Sequence, residues 1–124
     1  MTNWQPEIAL IKIPVSNIKQ SVAYYRDVIG LPESFSVPEY GWAQLQLGNL
    51  PFCLYDPAKG GGGGTPGTCD ALHFAVPDAA ASHAELAERG AIIPGGLETS
   101  ADGMTFFDLH DPDGNIIKVV QRKA

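Results

Sequence analysis

The sequence predicts an α+β fold made of two tandem β-α-β-β-β modules. Three observations carry that prediction. Strand and helix signals in the N-terminal half recur in the C-terminal half at a nearly constant offset, a glycine run divides the halves, and each predicted helix is punctuated at both ends.

In the first half, residues 8–15 read as a strand. A helix follows from Asn17 as N-cap to Gly30, with Ile18, Val22, Tyr25 and Ile29 at helical spacing. Strand-like stretches then cover residues 34–37, 42–47 and 52–55. In the second half, residues 72–76 read as a strand, and a helix runs from Asp78 as N-cap to Gly90. Its apolar spacing is weaker, through Ala79, His83, Leu86 and Ala87. Strands are expected at residues 91–93, 104–109 and 116–121. Val15 stands to Val76 as Asn17 stands to Asp78, and glycine closes both helices. Gly48-Asn49 and Asp111-Pro112-Asp113-Gly114-Asn115 supply the last turn of each module.

A length of 124 residues suits a single domain spanning residues 1–124. The first module covers about 7–58, a linker 59–68 and the second module about 69–122. With 44% hydrophobic and 18% charged residues, such a domain buries a core without a metal or disulfide staple. Gly60 to Gly64 reads as a flexible linker. A phosphate-cradling loop needs a following Lys-Ser/Thr pair and a helix start, and neither is there.

The net charge of −6 argues against a nucleic-acid partner and is complementary to a cationic ligand. No apolar run approaches the length of a membrane span. The first residues lack a basic and then apolar leader pattern, so the expected location is the cytoplasm. Cys53 and Cys69 are then reduced thiols, and their spacing is not that of a zinc site.

Three stretches resemble the vicinal-oxygen-chelate superfamily, which groups glyoxalases, bleomycin-resistance proteins and dioxygenases. They are Val15 through Leu31, Phe74-Ala75-Val76-Pro77-Asp78 with Leu86-Ala87-Glu88-Arg89-Gly90, and Asp111 through Asn115. The resemblance covers nearly the whole chain. It implies that the sheets curl into a cup holding a small molecule, and that the chain forms a homodimer. Metalloenzyme members carry ligands on the first strand of a module and on its last. Here those positions hold Leu10, Ala71 and Lys118, so no metal and no other cofactor is expected.

Strand alternation separates a packing face from a ligand face. Ile11, Ile13 and Val15, and then Leu72, Phe74 and Val76, form packing faces, leaving Lys12 and His73 at equivalent positions opposite. The expected ligand-binding residues are Lys12, Trp42, Gln44, Gln46, Phe52, Leu54, Phe106 and Lys118, with His73 and Asp108 as catalytic candidates. Structural roles compete for some of these. Lys118 and Asp108 can pair across the last hairpin, and His73 can bond to backbone. His83 reads as solvent-facing or packed, and His110 and Asp111 as turn residues.

The expected function is metal-free binding of a small molecule, sequestering a drug or metabolite. The alternative is a glyoxalase-like lyase or isomerase, or a dioxygenase. It would use a metal relocated to His73 and Asp108, or His73 as proton carrier with Lys12 or Lys118 holding an anion. A regulatory subunit without chemistry is a third reading.

Overall fold

The computed structural model describes residues 3–122; Met1, Thr2, Lys123 and Ala124 lie outside them. The first module comprises β1 (Ile11–Pro14), α1 (Ile18–Ala23), β2 (Glu33–Val37), β3 (Trp42–Leu47) and β4 (Leu50–Tyr55). The second comprises β5 (Leu72–Val76), α2 (Ala79–Glu88), β6 (Glu98–Thr99), β7 (Thr105–His110) and β8 (Ile116–Gln121). Each builds one four-stranded sheet, in the order β1-β4-β3-β2 and β5-β8-β7-β6. The first strand of each module pairs in parallel with the last, and the other pairings are antiparallel.

Both helices start where the sequence places them. Asn17 accepts from the Gln20 amide and Asp78 from the Ala81 amide, satisfying donors that a helix start leaves free. The first helix does not stay α-helical. Residues Tyr24–Ile29 form a π-helical segment that closes on Gly30, whose φ of 94° suits glycine.

Ile13, Val15, Ile18, Val22 and Tyr25 of the first module share one core with Phe107, Leu109, Ile117 and Val119 of the second. Tyr25 is fully enclosed and meets the Phe52 ring at 5.2 Å.

Three expectations are corrected. Residues 91–93 do not form the second strand of their sheet. Only Ile92 bridges, to His110, and Pro94-Gly95-Gly96 intervenes before the true edge strand β6. The first strand is shorter than expected, beginning at Ile11. Phe52 and Leu54 belong to the core and not to the ligand face. Their partners across β1 are Ile11 and Ile13, so they point with the packing residues, and both are wholly buried.

Candidate functional site

The opposite face of each sheet carries the polar candidates. In the first sheet Lys12 pairs with Cys53, Cys53 with Gln44 and Gln44 with Phe35, making one row across four strands. Trp42 lies beside Tyr55 in the next row, and Gln46 beside Pro51 in another. In the second sheet His73 pairs with Lys118 and Lys118 with Asp108. The two rows are equivalent, with Lys12 and His73 on corresponding strands.

Each face holds a lysine above an aromatic ring. The Lys12 ammonium lies 4.4 Å from the centre of the Tyr55 ring, and that of Lys118 lies 4.3 Å from the centre of the Phe106 ring. Their oxygen partners differ. Lys118 donates to Asp108 at 2.9 Å, neutralising its charge. Among the described residues Lys12 donates only to the Gly61 carbonyl, at 3.2 Å, and no carboxylate there pairs with it. Lys12 therefore presents an uncompensated positive charge.

Sequence reasoning missed Tyr55 and Cys53 as members of this face. Strand β4 is apolar at both parities, from Phe52 to Tyr55, so alternation gives no signal there. Burial without a compensating partner raises the Cys53 thiol pKa and keeps it protonated.

Other histidines take structural places. His83 packs edge-on against Phe107 at 5.1 Å. The His110 carbonyl accepts from the Tyr24 hydroxyl, and Asp111 organises the last turn by accepting from the Asp113 and Asn115 amides. Two clefts of about 240 and 180 Å³ lie elsewhere, one around Asn17, Asp56 and Lys59 and one around Leu31, Phe74 and Leu86. Neither is lined by a polar-face candidate.

The residues present do not fit the divalent ion of the family's metalloenzymes. Leu10 and Ala71 carry no donor atom, and Lys118 brings its ammonium to Asp108. In the sheet register Lys118 stands between His73 and Asp108 and its ammonium bonds to Asp108, which disfavours a cation relocated there. Among the described residues no three His, Cys, Asp or Glu side chains group to share an ion.

Two sheets of repeated β-α-β-β-β construction define a double-module α+β protein. The chain belongs to the Glyoxalase/Bleomycin resistance protein/Dioxygenase superfamily, whose model matches residues 7–119. No match is found among curated proteins. The fold is shared with a superfamily member from Sphaerobacter thermophilus at 20% identity and TM-score 0.80, covering 95% of this chain and 98% of that one. It is shared with an antibiotic-binding protein from Streptomyces at 24% identity and TM-score 0.75, covering 98% and 100%. A lactoylglutathione lyase from Agrobacterium tumefaciens has 20% identity and TM-score 0.76, covering 94% of each chain. At these identities the likeness shows the fold.

Proposed function

We propose that this protein binds a small molecule on the polar faces of its sheets without using a metal, and so sequesters a drug or metabolite. The observation that carries the reading is the pairing of each lysine with an aromatic ring, at faces where Leu10, Ala71 and Lys118 replace metal-ligand types. Trp42, Gln44, Gln46, Phe106 and the two lysines supply stacking and a few directional donors, the mixture that small-molecule sites use. The Streptomyces relative is named as an antibiotic binder, which agrees with this reading.

Midpoints of thermal unfolding across a panel of metabolites and antibiotics test it. A ligand at 100 times its Kd stabilises by about 2.7 kcal/mol. Flat midpoints across the panel overturn the proposal.

A second reading is acid–base chemistry, favoured by the titratable row His73–Lys118–Asp108. Here His73 moves the proton and Lys118 steadies developing negative charge. His73→Ala then abolishes turnover and leaves affinity largely intact. A pure binder shows no turnover to lose.

We further propose a homodimer in the cytoplasm. Phe35, Leu10 and Leu97 are large apolar side chains left exposed in the single chain, and the unpaired thiols of Cys53 and Cys69 suit a reducing compartment. Light scattering that gives a monomer mass at micromolar concentration overturns the dimer. No helix among the described residues is long and apolar enough to cross a membrane.

A further inference from the structure

The packing side of the second sheet is incompletely covered. Phe74 pairs with Val119 and Val119 with Phe107, so all three point to that side. Val119 and Phe107 are buried, yet Phe74 and its strand neighbour on that side, Val76, stay half-buried. The cause lies in α2. The Leu31 amide donates to the Tyr25 carbonyl and the Ala91 amide to that of Leu86, so the two helices close alike and Leu86 stands where the first has Tyr25. By the same equivalence Ala79 stands where the first helix has Ile18. Five of the ten residues of α2 are alanine, so it brings less side-chain volume to its sheet.

The cleft of about 180 Å³ is what remains. Phe74, Val76 and Val119 line it from the sheet, Leu86 from α2, and Leu31 and Leu47 from the first module. An apolar space of that order takes a benzene-sized ring. Two polar side chains complete the lining, Ser82 and Glu85. Among the described residues neither the hydroxyl nor the carboxylate makes a hydrogen bond. Arg89 approaches Glu85 only to 3.6 Å and donates instead to the Val28 carbonyl at 3.4 Å. A carboxylate without a hydrogen-bond donor, beside an apolar space, is complementary to a ring that carries an ammonium. The net charge of −6 favours an approaching cation.

We propose that this cleft is a second binding site, for a small amphipathic amine. The ring lies between the modules and the ammonium meets Glu85 and Ser82. The site is on the packing side of the second sheet, opposite His73 and Lys118, so it stands independently of the ligand reading of the polar faces. Both modules line it, so an occupant holds them together and raises the unfolding midpoint.

The test titrates the full chain near neutral pH with phenethylamine, phenethyl alcohol and hydrocinnamate, at constant ionic strength, and follows the methyl resonances. Saturable shifts at Leu31, Val76 and Leu86 are expected with the amine, and weaker responses with the neutral alcohol and the carboxylate. Glu85→Gln reduces affinity for the amine about two- to fivefold and leaves the response to the alcohol unchanged. Glu85 is exposed, so this variant keeps its unfolding midpoint. Ser82→Leu fills the cleft and abolishes the saturable shifts. If Ser82→Leu does not fold, the Glu85→Gln comparison decides. Linear shifts with the amine, saturable shifts that survive Ser82→Leu in a folded protein, or amine affinity unaltered by Glu85→Gln overturn the proposal.

Discussion

The Tyr25 hydroxyl, in the first module, donates to the Asp111 carboxylate, in the second, at 2.9 Å with both side chains enclosed. Asp111 also accepts from the Asn115 side chain and from the turn amides, so its charge is held by hydrogen bonds from both modules. Tyr25→Phe removes one of those donors from a buried acceptor. Denaturant unfolding should show a loss of about 1–3 kcal/mol.

The same pair predicts an alkaline limit. Burial, and then the charge of Asp111, raises the Tyr25 pKa far above its ordinary 10.0. A folded pKa above the unfolded one means stability is complete below about pH 10, where both states hold the proton. Above it the unfolded state loses the proton first, so stability falls by up to about 1.4 kcal/mol per pH unit. Unfolding measured from pH 8 to 11 should show this slope in the native protein and a shallower one in Tyr25→Phe.

Asn115 ties three segments together. Its amide nitrogen donates to the Pro14 carbonyl and to Asp111, and its oxygen accepts from the Gly67 and Cys69 amides. Asn115→Ala orphans several buried groups at once and should cost about 3 kcal/mol or more, read by the same unfolding experiment.

The two faces of the first sheet should separate stability from binding. Phe52→Ala empties a core position beside Tyr25 and Phe74 and should cost about 3–5 kcal/mol. Trp42→Ala lies on the polar face, is only half-buried, and should cost less while weakening any ligand found by the thermal panel.

Lys118 and Asp108 are each about a third exposed, at 35% and 36%, so their ion pair contributes little to stability. Lys118→Met should change unfolding by no more than about 1 kcal/mol. It should change ligand affinity far more if the second sheet's polar face binds.

Much of this scaffold was legible in the sequence because it rests on local chemistry. Asn17 and Asp78 cap their helices, and the strands Trp42–Leu47 and Ile116–Gln121 begin and end where alternation and turn residues place them. Less of the site was legible. The polar face of the second sheet follows from alternation in β7 and β8. In β4 that signal fails, because Cys53 and Tyr55 are buried along with Phe52 and Leu54. The return of the glycine run to Lys12 joins residues 49 positions apart, which no local pattern encodes. The edge strand was misplaced for a related reason, since the single bridge at Ile92 depends on a distant backbone partner.

The π-helical end of the first helix sets the two modules apart. Neighbouring tyrosines there both serve the second module, Tyr24 bonding to the His110 carbonyl and the Ile92 amide while Tyr25 reaches Asp111. The second helix has no such segment and no such pair. The halves have therefore become a plug and a socket. A chain carrying two copies of either half would lack one of the two, so two modules of like topology make an obligate pairing of unlike parts.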